Sequence, residues 1–110
     1  MPLKPENLTG ILVLVDYYTR SLSCFDSART YEQEFDRDGQ IAHLDNAITH
    51  CEDGFRFLSL SLSRNNLLKP RRHLQLARLY KRRLDQGNHA QDLDKAIENY
   101  ETGKEYPGIL

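Results

Sequence analysis

No apolar run in this 110-residue chain approaches the ~18 residues that a membrane-spanning helix needs; the most apolar stretch, residues 11–15, is Ile-Leu-Val-Leu-Val. Asp16 ends that stretch and no small-x-small cleavage site follows, so it does not read as a secretory signal. Cysteine is scarce. Cys24 and Cys51 stand alone without a C-x-x-C pair, which allows one bridge but not a secreted disulfide framework. Two reduced thiols acting as small hydrophobes in a cytoplasmic protein are the expectation. Catalytic and cofactor signatures are missing too: no phosphate-binding glycine loop, dinucleotide fingerprint, nucleophile elbow or H-E-x-x-H occurs. His43 and His50 are seven apart and could share a helix face, but a zinc site would need two further ligands. Glu32, Glu34, Asp36, Asp38, Glu52 and Asp53 read as a solvated face, since nothing nearby would drive one carboxyl pKa away from another. No enzyme, cofactor, metal or membrane is expected.

What the chain does have is an ordinary globular mix, 39% apolar and 28% charged, and a segregated charge pattern. Residues 1–54 carry four basic and ten acidic side chains, residues 55–84 nine basic and none acidic, and residues 85–110 two basic and six acidic. A basic block between acidic ones fits helices of opposite charge lying side by side, with a surface for phosphates or acidic peptides as the competing reading.

Apolar spacing is helical almost throughout. Leu8, Ile11, Leu12, Val15, Tyr18, Leu22 and Phe25 form one stripe, Leu44, Ala47, Ile48, Cys51, Phe55, Leu58 and Leu62 a second, and Leu93, Ala96, Ile97 and Tyr100 a third. Residues 11–15 and the alternating segment 57–63 compete for strand, but each lies on a stripe that continues at helical spacing. Breaks are expected at Asp38-Gly39, Asn65-Asn66 with Lys69-Pro70, Gly87-Asn88 and Pro107-Gly108. Gly54, inside the second stripe, is expected to bend or shorten its helix, at about 1 kcal/mol relative to alanine. Between residues 20 and 27 no turn signal stands, but Ser21, Ser23 and Ser27 could cap a new helix, so residues 7–37 form either two helices or one rod.

A shift of 49 residues aligns 28–54 with 77–103 without a gap, with ten identities in 27 positions, among them Ala28/Ala77, Tyr31/Tyr80, Leu44/Leu93, Ala47/Ala96, Ile48/Ile97 and Gly54/Gly103. A fixed period of this size signals a helical repeat. The segment "LARLYKRRLDQGNHAQDLDKAIENY" resembles tetratricopeptide-like repeats, especially the long variety found in fungal multidomain proteins beside CHAT or NACHT domains. Leu76-Ala77, Leu84, Gly87 and Asp92-Leu93-Asp94-Lys95-Ala96-Ile97 carry the likeness, echoed by Ala28, Phe35, Gly39, Leu44 and Ala47-Ile48. Between the copies, "FRFLSLSLSRNNLLKP" replaces the family's short turn.

The expectation is therefore one all-α domain over 1–110, with a leading helix at 7–24, repeat one at 25–62 and repeat two at 70–106, five to six helices in all, stacked as antiparallel pairs in a superhelix. The resemblance implies a protein-interaction scaffold, with Arg29, Glu32, Gln33, Arg78, Lys81 and Arg82 as partner-binding positions and an acidic peptide as candidate partner. The alternative is a helical nucleic-acid-binding module using the basic segment 69–83. If residues 7–37 form one rod, the Ile11, Leu12, Val15 stripe projects beyond the core and invites self-association through the first helix.

Overall fold

The computed structural model describes residues 5–61, 69–87 and 89–104, with side chains from Thr9 onward. Among them the protein is all-α, with α1 (Pro5–Asp38), α2 (Ile41–Leu60), α3 (Lys69–Gln86) and α4 (Ala90–Lys104) and no strand. Both strand candidates are helical where described, in α1 and at the end of α2. Among the described residues four helices stand where five to six were expected, and α1 runs through residues 20–27 without a break. The local hydroxyls explain this. Ser21 donates to the Tyr18 carbonyl at 2.6 Å, Thr19 to Val15 at 3.2 Å and Thr30 to Asp26 at 3.2 Å. Side chains that bond back into their own helix are not capping a new one.

The glycine-marked stop after α1 forms as its residues dictate. Gly39 takes φ +71, the left-handed region, and its N–H closes onto the Phe35 carbonyl at 2.7 Å. Asp38 accepts the Gln40 N–H at 3.0 Å, and this bond holds the Asp38 carboxyl below its ordinary range. Pro70 stands in the first turn of α3, where its missing N–H costs nothing. Asp92 is in the first turn of α4, with Asp94 two residues on. Asn65-Asn66, Asn88 and Pro107-Gly108 lie outside the described residues.

Each helix packs on its neighbours in the chain: α1 on α2, α2 on α3, and α3 on α4. The first hairpin is antiparallel, since Tyr17 stacks on Phe57, Phe25 meets Gly54 and Tyr31 stacks on His50. Phe25, Ala28 and Phe35 of α1, Leu44, Ala47, Ile48, Cys51 and Leu58 of α2, and Leu76, Leu79 and Tyr80 of α3 form the core; α4 adds only the half-buried Ala96. Burial pushes the Cys51 thiol up to about 12, so it behaves as a small hydrophobe.

Gly54 does not end α2, which continues to Leu60. It is there because the Phe25 ring lies against it: a Cβ at Gly54 would come within 2.8 Å of that ring. Gly103 of α4 has the same relation to Leu74 of α3, at 2.7 Å. Phe25 and Leu74, like Gly54 and Gly103, are 49 residues apart.

Candidate interaction surface

Of the six positions singled out in the sequence, the structure brings three together, Glu32, Arg78 and Arg82. Glu32, on α1, is buried, and it accepts two bonds from Arg78 of α3 (Nε 2.9 Å, Nη2 2.7 Å) and one from Arg82 (Nη1 2.9 Å). Arg82 also donates to Asp36 of α1. Burial alone would raise the Glu32 pKa, but the two guanidiniums outweigh it and hold the carboxyl below its ordinary range. Glu32, Arg78 and Arg82 thus tie α3 to α1. Arg29 is exposed and paired with Asp26 of its own helix at 3.1 Å, and Gln33 is exposed. Lys81, also exposed, pairs with Asp85 one turn on at 3.1 Å.

Arg83 of the same basic block is used the same way. Arg83 grips buried Asp92 of α4 with two bonds, 2.9 and 2.8 Å, and reaches Asp45 of α2 at 2.9 Å, so one guanidinium joins three helices. Those carboxylates hold the Arg83 pKa above its ordinary value, the Asp92 bonds foremost. Arg72 lies over the Phe25 ring, 4.7 Å from its centroid. The segregated charge is therefore matched within the chain at Arg78, Arg82 and Arg83.

Three of the four histidines are occupied by neighbours. Tyr31 is stacked on His43 and His50, and His73 stacks on Phe55 while its Nδ1 meets Asn99 Oδ1 at 3.0 Å. Glu34, Asp38 and His43 bring one ligand-type atom each within 4.8 Å. Glu34 is already bonded to Arg37, and Asp38 serves Gln40 N–H and His43 Nε2. The cluster is explained by the α1–α2 turn.

The unexplained surface is an apolar groove of about 570 Å³ along the outer side of α3 and α4. Leu74, Ala77 and Leu84 form one wall, and Leu93, Ile97 and Tyr100 the other. Arg78, Lys81, Asp85 and Glu101 stand at its rims. Leu93, Ile97 and Tyr100 are 50%, 51% and 54% exposed. These residues were legible as a helical stripe but not as a site. The 49-residue alignment held the missing signal: it shows which stripe lacks a following helix among the described residues. A second exposed apolar group, Ile11, Leu12, Val13 and Val15, lies on the leading part of α1.

No protein-family model, curated protein or solved structure matches this chain. Among the described residues no helix is long and apolar enough to cross a membrane.

Proposed function

We propose that this protein is a non-catalytic protein-interaction scaffold, built from tetratricopeptide-like helix pairs as a short superhelical array and working in the cytoplasm. The observation that carries the reading is the α3–α4 groove, a continuous apolar surface with charged rims. Apolar surface of this kind, left in water on a small helical protein, marks an interface. The pairwise packing of consecutive helices and the recurrence of a large side chain on glycine at Phe25–Gly54 and Leu74–Gly103 support the repeat architecture. The free thiols of Cys24 and Cys51 support a reducing compartment. The nucleic-acid reading draws on a basic block whose Arg78, Arg82 and Arg83 are already committed to carboxylates.

The structure changes which variant tests the scaffold. Reversing Arg78 and Arg82 would set acids against buried Glu32 and unfold the α1–α3 contact, whereas Ile97→Asp alters only an exposed side chain. Proteins crosslinked to the wild type and identified by mass spectrometry should be lost with Ile97→Asp at unchanged melting temperature. An identical crosslinked set would remove the groove from the function. Labelled RNA and duplex DNA should show no salt-dependent binding; steep loss of affinity with rising salt would establish the alternative.

A further inference from the structure

The α3–α4 groove has a filled counterpart in the same molecule. Moved back by 49 positions, Leu93, Ile97 and Tyr100 become Leu44, Ile48 and Cys51 of α2, and Leu74 becomes Phe25 of α1. Those four are 0%, 3%, 0% and 1% exposed, since α3 packs on the first hairpin there. Gln75 of α3 reaches the Phe25 carbonyl at 3.4 Å, and the Tyr80 hydroxyl donates to Glu52 at 2.7 Å. Among the described residues, one surface is present twice and is covered by a helix once.

The charges around the filled copy say what that helix must carry. α3 places Arg78 and Arg82 on Glu32, Arg82 on Asp36, Arg83 on Asp45 and the Tyr80 hydroxyl on Glu52. The matching positions are Lys81, Asp85 and Glu101, which line the open groove, and Asp94, next in sequence to the groove residue Leu93. Three acceptors recur and one sign is reversed; Lys81 and Asp85 pair with each other at 3.1 Å in the open groove, an exposed pair that a seated helix would exchange for its own charges. An arginine at the place of Arg78 would meet Lys81, so that position calls for a carboxylate. α3 of a second copy carries Arg78 there and is already committed to Glu32, which argues against self-pairing through this groove.

We infer that the groove receives an amphipathic α-helix of a partner protein, seated as α3 is seated on α1 and α2, with an acidic side chain over Lys81 and basic side chains over Asp85 and Asp94. The inference rests on the scaffold reading and names its partner: a helix of mixed charge with a base-rich edge, in place of an acidic peptide. The recognition mode is a helix in an apolar groove, with apolar anchors three and four residues apart and register set by the rim charges.

The probe is a fluorescein-labelled peptide of residues 69–86 carrying Arg78→Glu, titrated with the full chain and followed by anisotropy and by the gain of helix in circular dichroism. It should bind, and the unmodified peptide should bind about fivefold more weakly, the size of one rim charge pair. The Lys81→Glu protein should reverse that order, and Ile97→Asp should abolish binding of both peptides, with both variants melting like the wild type. Absence of binding, or a preference indifferent to Lys81→Glu, overturns the inference. So does poly-glutamate displacing the peptide while remaining extended, or a self-associated state that Ile97→Asp alone dissolves. If the peptides fail while partner crosslinking still depends on Ile97, the helix is wrong and the scaffold stands; if neither responds to Ile97→Asp, both readings fall.

Discussion

At the scale of single residues, two buried carboxylates, Glu32 and Asp92, tie helices together through arginines. Glu32 has lost its water and recovers the loss through three bonds from Arg78 and Arg82. Removing one member of a fully buried pair costs about 3–5 kcal/mol; Arg78 keeps much of its surface in water, so Glu32→Gln should cost about 2 kcal/mol at neutral pH. The folded state holds Glu32 below its unfolded value of about 4.3. Its stabilisation is therefore complete above that value and disappears as pH falls through the lower, folded one. Thermal melts from pH 7 to pH 3 should show a wild-type loss that is shallower in Glu32→Gln. Parallel curves would mean that the Arg78–Arg82 pairing contributes nothing.

At the scale of elements, the helices were legible because apolar residues recur every three or four positions over long stretches. The stops were legible where backbone geometry demands a particular residue, as at Gly39. The continuity of α1 was not, because Ser21 reads equally as a cap or as a hydroxyl bonded to the preceding turn, and only the Tyr18 carbonyl decides. Gly54 looked like a weakness when weighed by propensity alone; the facing Phe25 ring makes it a requirement. The two glycine contacts should respond unequally to a methyl group. Gly54→Ala presses on a ring fixed in the core and should destabilise by about 1–3 kcal/mol despite alanine's better helix propensity. Gly103→Ala meets Leu74 at 2.7 Å and the Pro70 carbonyl oxygen at 3.0 Å; the exposed Leu74 can turn away but the backbone oxygen cannot, so denaturant melts should show a loss here too, smaller only by what Leu74 relieves. The site was the least legible part. A clean apolar stripe announces a buried face, and Leu93, Ile97 and Tyr100 have that stripe without the cover.

For the molecule as a whole, the long rod sets the shape. A 34-residue helix spans about 51 Å and accounts for the longest dimension of 57 Å. α1 outruns the 20-residue α2, and Ile11, Leu12, Val13 and Val15 are exposed on its leading part. The protein should self-associate at micromolar concentration through this stripe, and Leu12→Glu should shift sedimentation toward monomer while Ile97→Asp leaves it unchanged. A wild-type monomer insensitive to dilution would refute self-association. The order of packing, each helix resting on its chain neighbours, carries a consequence for motion. α4 is clasped by α3 on one side while its Leu93–Tyr100 stripe faces water, so its backbone amides should exchange with deuterium sooner than those of α2, which lies between α1 and α3. An occupant of the groove would close that difference, and slowed exchange confined to α3 and α4 would report its arrival without knowledge of its name.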